Sequence, residues 1–291
     1  MGARRPVVVT VLAVAALFVS ATPAYARTDN RSKPVVYVHG WSSSSATDCN
    51  MWNNMDNQLR AWGLTGTKVT VKYYSADTNC TDSLLSYGSH TAHYGSSHTS
   101  HNNGTDIRHL SYHLAQMINA KFGANPVDIV AHSMGGLITR YMVGEVARRN
   151  ADFPATLNVE DIVTMGTPHN GTGWANWCGG TQCVQMRPGS SFINYVNANA
   201  QNPKAGDTDW TLMGSDSDGI VSASSATSMS ANHKVIYLST NSIGHSDFYN
   251  LTTDARTADV DYNDYGGTWY RWYDAPWPVR WSDFALYVGT W

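Results

Sequence analysis

The chain has 291 residues, of which 42% are hydrophobic and only 14% charged, with a net charge of −3. About a quarter of the residues are charged in an ordinary soluble domain, so the polar surface here must come from Ser, Thr, Asn and Gly. The near-neutral balance argues against a nucleic-acid footprint, and an apolar share without long charge runs argues against disorder. The length suits one large domain or two small ones.

The first element in chain order is a targeting signal. Arg4 and Arg5 precede an apolar run from Val7 to Val19, and Ala24-Tyr25-Ala26 offers a small-x-small cleavage site. This is the pattern of a secretory signal peptide over 1–26, leaving 27–291 as the working protein outside the cell. A membrane anchor is the alternative, but the run is shorter than the ~20 residues that a spanning helix needs. Secretion makes the even count of four cysteines read as two disulfides. Three pairings are possible. Cys178 and Cys183 are close in sequence and bound a Gly-rich loop, so the preferred pairing is Cys178–Cys183 with Cys49–Cys80. Zinc is the alternative, without a C-x-x-C pair to support it.

Strands and helices then alternate. Pro34 to His39 is a short apolar run, as in a strand buried on both faces. Met51, Met55, Leu59 and Trp62 predict a helix over 50–62, and Lys68 to Tyr74 a second strand. Residues 75–103, rich in Ser, His, Asn and Gly, read as a long loop. Thr105 opens a helix with the stripe Ile107, Leu110, Leu114, Met117 and Ile118, ended by Gly123 and Pro126. Further strands are expected at Val127 to Ala131, Asp161 to Met165, Trp210 to Met213 and Val235 to Leu238, with a helix over 134–149. The pattern predicts an α/β fold: a mostly parallel sheet of about six strands flanked by helices, in one catalytic domain. Function in such a sheet sits at the carboxyl ends of the strands.

The chemistry concentrates at Ala131-His132-Ser133-Met134-Gly135. This is a nucleophile elbow with Ala in place of the first Gly, set between a strand and a helix. The sharp turn lifts the Ser133 hydroxyl above the sheet, and small residues on either side avoid backbone clashes. A serine nucleophile needs a base, an acid and an oxyanion hole, in the chain order Ser, acid, His. His169 comes before the strand that should carry the acid, and His233 lies at the wrong end of its strand. His245, in Gly244-His245-Ser246, lies at the carboxyl edge and is the expected general base. Asp216 and Asp218 both follow the fifth strand; Asp218 is favoured because Gly219 turns the chain directly after it. The oxyanion donors are expected to be the backbone N–H groups of Met134 and Trp41, with Gly40 allowing close approach. His39, His132, His169 and Trp174 are candidates for the substrate cleft.

These residues together resemble the secreted bacterial lipases and esterases of the α/β-hydrolase superfamily. They are most similar to the small lidless Bacillus-type lipases of the class 2 group. The matching segments are Pro34 to Gly40, Asn102-Asn103-Gly104, Val127 to Gly136 with the same Ala-for-Gly elbow, Asp161 to Gly166, Ser217 to Val221 and Gly244-His245. The resemblance spans roughly 33–250. It implies a Ser133–His245–Asp218 triad, an oxyanion hole at Trp41 and Met134, and an ester or lipid substrate, and it agrees with the order-based reading.

Three features depart from the family. An insertion at 75–101 carries His90, His93, His98 and His101, for which a metal site stands against a polar rim loop; Asp77, Asp82 and Asp106 are its remoter acids. Gly219 sits in the acid turn. The tail from Tyr262 to Trp291 holds five Trp and five Tyr, either an extension packed on the domain or a platform for a polymer or glycan.

The sequence therefore predicts a secreted serine hydrolase of carboxylic esters (triacylglycerol lipase or carboxylesterase), monomeric, without a stable membrane anchor and with no cofactor. Calcium stays open because Asp254, Asp259, Asp261 and Asp264 cluster without a recognisable ligand loop. A polyester depolymerase or an acyltransferase on the same scaffold is the alternative. A non-catalytic binding protein using the aromatic tail is the alternative from another class.

Overall fold

Among the described residues, nine strands form one sheet in the order β3-β2-β1-β4-β5-β6-β7-β8-β9. They are β1 (Val35–Val38), β2 (Lys68–Lys72), β3 (Asp82–Ser83), β4 (Val127–His132), β5 (Val159–Met165), β6 (Asp209–Ser215), β7 (His233–Tyr237), β8 (Arg256–Asp264) and β9 (Trp269–Pro276). The strands from β3 to β7 pair in parallel, and β8 and β9 close the far edge antiparallel. The computed structural model describes residues 30–88, 94–97 and 99–288, so the expected signal peptide over 1–26 lies outside the described residues. Among those described, no helix is long and apolar enough to cross a membrane.

Helices cover both faces. On one side lie α2 (Ile107–Phe122), α3 (Met134–Ala147), α4 (Thr181–Met186) and α5 (Ser191–Asn199); on the other lie α1 (Asn53–Ala61) and α7 (Pro278–Tyr287). A short helix, α6 (Ala223–Ala226), follows the β6 turn. Side chains alternate across a strand. Val36, Val38, Val69, Val71, Ile129 and Leu212 therefore pack beneath α2 and α3, while Val35, Tyr37, Val130, Val163, Met213 and Val235 pack beneath α1 and α7. Both faces of the central strands are buried, which is why they read as continuous apolar runs.

The chain runs from β1 to β2 on one side and returns to β4 on the other, so strand order reverses between β1 and β4. Such a switch point opens a crevice at the carboxyl ends of the two strands, where Gly40 and Ser133 stand.

The structure departs from expectation in three places. Strand β2 stops at Lys72, because the Tyr73 and Tyr74 backbone N–H groups turn to the Asp77 carboxylate, at 3.0 and 2.8 Å. The segment read wholly as loop contains β3 and a buried Leu84. The sheet of about six strands gains β8 and β9, so that the aromatic-rich tail from 262 supplies the end of β8, all of β9 and α7, which packs on one face of the sheet. Strand β8 buries Ala258 and Val260 between polar residues, and that one-sided alternation is weak in an Asp-rich stretch. Packing accounts for Trp281, which is fully buried, whereas Trp269, Tyr270, Trp272 and Tyr273 are exposed. Trp269 lies beside Asn263, level with the start of β7 and so at the opposite end of the sheet from the crevice. Trp291 is outside the described residues.

Candidate active site

Ser133 links β4 to α3 with φ 54° and ψ −129°, a conformation that costs energy for a residue with a side chain and aims it away from both elements. The turn is held by its own N–H on Met165 O at 2.9 Å and by the Thr167 hydroxyl on Ser133 O at 2.9 Å. Close backbone packing explains the small residues. A Cβ on Gly135 would sit 2.4 Å from Val38 O and 2.5 Å from His39 O; one on Gly40 would sit 2.7 Å from Ser133 Cβ. The β1 loop is thereby pressed against the serine.

His245 follows β7 in an irregular loop. Its Nε2 is 2.9 Å from Ser133 Oγ and its Nδ1 is 2.7 Å from Asp218 Oδ2. The other oxygen of Asp218 accepts the backbone N–H groups of Ile220 and Val221, at 2.8 and 2.9 Å, so the carboxylate is fixed before it meets the histidine. Asp216 is exposed, and its backbone N–H donates to Tyr237 O at 2.9 Å, whereas Asp218 is the acid that meets His245. His233 pairs with Asp264 at 2.8 Å, far from the crevice. A proton can pass from Ser133 Oγ to Nε2 while Asp218 balances the imidazolium.

The site opens into a cavity of about 340 Å³ lined by Trp41, Ser133, Pro168, Thr172, Trp174, Met186, Ile220, Val221 and His245. Trp41 and Trp174 meet edge to face with centroids 5.1 Å apart. Of the four cleft candidates, Trp174 alone lines it. His39 is buried beneath the β1 turn, with its ring nitrogens 2.9 Å from Gly40 O and 2.9 Å from Asp77 Oδ2. His132 lies behind His245, its Nε2–H donating to His245 O at 2.7 Å. Burial, aided by the neighbouring His245, pushes its pKa down to about 3, so the ring is neutral. His169 is buried behind the turn whose Pro168 faces the cleft. Its Nε2 contacts Thr164 Oγ1 at 3.2 Å, and its carbonyl accepts from the buried Arg140 guanidinium at 2.9 Å. Burial and that guanidinium hold its pKa well below the usual value.

Asp77, read from the sequence only as a remote acid of a possible metal site, instead organises the β1 turn. Besides His39 and the two tyrosine amides it accepts the Thr47 N–H at 2.7 Å, and Tyr73 stacks on His39 at 3.9 Å while its hydroxyl donates to Gly40 O. This assembly sets the position of the Gly40–Trp41 turn. Farther along, Cys49–Cys80 staples the start of the α1 segment to the segment after β2, and Cys178–Cys183 staples the loop before α4 to that helix, the pairing expected from the sequence.

Two groups among the described residues bring together side chains able to hold a cation. Asp128, Glu160 and Asp161 converge at the amino ends of β4 and β5, where Lys33 Nζ sits 2.9, 2.7 and 2.9 Å from them. The other is His101, His109 and His113. His90, His93 and His98 lie outside the described residues. Asp82 instead pairs with Lys121, and Asp106 caps α2 and binds Arg108. The tail acids likewise meet protein partners: Asp254 meets Arg280, Asp259 meets Thr240, Asp261 meets Arg271 and Asp264 meets His233.

A serine on a strand-to-helix elbow above a parallel sheet, with later loops supplying an aspartate and a histidine, defines an α/β-hydrolase. Residues 28–218 match the family model described as "Putative serine esterase (DUF676)", and the chain belongs to that family. The match takes in Ser133 and Asp218 and ends before His245. No curated protein matches the sequence. Similar solved structures include phospholipase PlaB from Legionella pneumophila, at 14% identity over 67% of this chain and 45% of that one (TM-score 0.48). The lin2722 gene product of Listeria innocua is 14% identical over 75% and 89% (TM-score 0.47). Lipase BlEst2 of Bacillus licheniformis in its mature form is 17% identical over 69% and 81% (TM-score 0.44). The chain thus spans less than half the length of PlaB.

Proposed function

We propose that this serine esterase is a secreted enzyme that cleaves carboxylic esters through an acyl-enzyme on Ser133. The observation that carries the reading is the unbroken chain Ser133 Oγ–His245 Nε2–His245 Nδ1–Asp218 Oδ2, at 2.9 and 2.7 Å, at the floor of an apolar cleft. His245 takes the Ser133 proton as Oγ attacks the carbonyl carbon. The Trp41 and Met134 N–H groups hold the developing oxyanion, with Met134 opening α3. His245 then protonates the leaving alcohol, and a water activated by the same ring releases the acid and restores Ser133. These residues carry every step, so the reading calls for no cofactor.

The test is Ser133→Ala. A folded variant should lose on the order of 10⁴–10⁶-fold in p-nitrophenyl ester turnover. A fluorophosphonate should label Ser133 in the wild type; failure to label, with turnover retained in the variant, would leave a binding protein on a hydrolase scaffold. For substrate, the acyl chain fits the wall of Met186, Ile220 and Val221, so a chain-length series separates a carboxylesterase from a triacylglycerol lipase. A second reading, hydrolysis of polymeric or aromatic esters, is favoured by Trp177. It stands 88% exposed, three residues beyond Trp174, which lines the cleft. Release of soluble acid from a solid polyester tests it, and product analysis with added alcohol tests acyl transfer. Secretion is supported by the basic-apolar-small pattern over 1–26 and by two disulfides, and a mature amino terminus at Arg27 in culture supernatant would establish it.

A further inference from the structure

Three histidines outside the cleft converge through their Nε2 atoms. His109 and His113 lie one turn apart on α2. His101 is brought to them by a short ladder in which its N–H meets Ser75 Oγ at 2.8 Å and its carbonyl accepts the Ser75 N–H at 2.9 Å. The Nε2 atom of His109 is 3.1 Å from that of His101 and 3.2 Å from that of His113, and all three side chains are buried. On the far side of the rings, Nδ1 of His101 is 3.0 Å from Tyr73 O and Nδ1 of His113 is 2.5 Å from Tyr87 O.

Those carbonyls can only accept, so both Nδ1 atoms carry the proton. In the neutral rings, Nε2 of His101 and of His113 then presents a lone pair. Both lone pairs aim at the Nε2 of His109, which has at most one hydrogen to offer. The three Nε2 atoms thus converge with lone pairs directed inward, an arrangement that a cation between them can bridge. A tetrahedral ion with metal–nitrogen bonds of ~2.0–2.1 Å separates its ligand nitrogens by about 3.3 Å, close to the spacing here. Backbone carbonyls on the outer nitrogen are the usual orienting partners of metal-bound histidine. Nitrogen ligands disfavour calcium and magnesium, which take oxygen.

We propose that His101, His109 and His113 bind a structural Zn²⁺. The ion ties the segment before α2 to the helix itself and to the carbonyl of Tyr73, whose hydroxyl reaches the Gly40 turn. None of the three residues lines the cleft, so the proposal is independent of the esterase reading. The test uses the whole tag-free protein, stripped with dipicolinate and titrated with ZnCl₂. Calorimetry should give about one zinc per chain, and Tm should rise by roughly 5–10 °C at a hundredfold excess over Kd. X-ray absorption of the zinc-loaded protein should show imidazole nitrogens at ~2.0 Å. His109→Ala and His101→Gln, folded by circular dichroism, should lose at least a hundredfold in zinc affinity. A wild type that takes up no zinc and keeps its Tm overturns the proposal, as do folded variants that bind zinc as tightly as the wild type.

Discussion

Asp218 and Asp77 are both buried carboxylates that accept two or more backbone N–H groups, yet they serve different ends. Asp218 leaves one oxygen for His245, and in the proposed mechanism that oxygen holds the ring's tautomer and balances the imidazolium. Asp218→Asn should lower kcat about 10⁴-fold with little change in fold, while Asp216→Asn should leave kcat nearly untouched. Steady-state kinetics on both variants decides between them, and a larger loss at Asp216 would reverse the assignment. Asp77 also meets a histidine, but the other ring nitrogen of His39 lies against the Gly40 carbonyl and not against a nucleophilic hydroxyl. Replacing it by alanine strands the amides of Thr47, Tyr73 and Tyr74 and a ring nitrogen of His39. The expected cost is about 2–4 kcal/mol in urea unfolding, with a fall in kcat as the Gly40–Trp41 turn loosens. The convergence of Ser133, His245 and Asp218 was legible because the elbow marks the serine and the chain order Ser, acid, His picks out the other two in turns after later strands. Asp77 was not, since its partners are backbone amides, which carry no mark in the sequence. His39, His132 and His169 were drawn toward the cleft by their sequence neighbours on strand ends, but their rings turn inward and support the loops from behind.

At the scale of elements, the parallel strands were legible because burial on both faces makes each an apolar run. What was not legible was one-sided: β8 and β9, and the short helices α4 to α6, whose apolar stripes are too brief to show a period. The histidines of α2 were hidden for a related reason, since His109 and His113 flank the apolar stripe and read as its edge. The two disulfides differ in what they tie. Cys49–Cys80 joins residues 31 apart and anchors the segment after β2 to the oxyanion side of the cleft, whereas Cys178–Cys183 spans a separation of only 5. By loop-closure entropy the first should contribute about 4 kcal/mol and the second about 2 kcal/mol. The double variant Cys49→Ala/Cys80→Ala should therefore unfold at markedly lower urea than Cys178→Ala/Cys183→Ala. Equal midpoints would mean that the long loop is already ordered by Asp77 and the helix α2 contacts without its staple.

For the whole molecule, the buried ionisable groups separate between the two ends of the sheet, and this sets how stability responds to pH. At the amino ends, Lys33 is encircled by Asp128, Glu160 and Asp161, and its pKa is raised beyond the physiological range despite the opposing effect of burial. Its contribution is present below about pH 10 and does not vary under ordinary conditions. Burial raises the Asp128 carboxyl, so that group favours the folded state as pH falls. At the carboxyl ends, His132 and His169 have depressed pKa values, His132 down to about 3. The unfolded chain binds protons on both rings near pH 6.5 while the folded chain does not, so stability falls as pH drops below that value. Both rings therefore withdraw stability between pH 7 and pH 5, as protons bind to the unfolded chain and not to the folded one. Asp128 offsets part of this, so a substitution isolates the histidine share. His169→Gln keeps a hydrogen bond within reach of Thr164 and removes the titrating ring. Its urea midpoint should shift between pH 7 and pH 5 by clearly less than that of the wild type. An identical pH dependence in the two proteins would show that His169 is not held neutral in the fold, and that the acid response arises elsewhere.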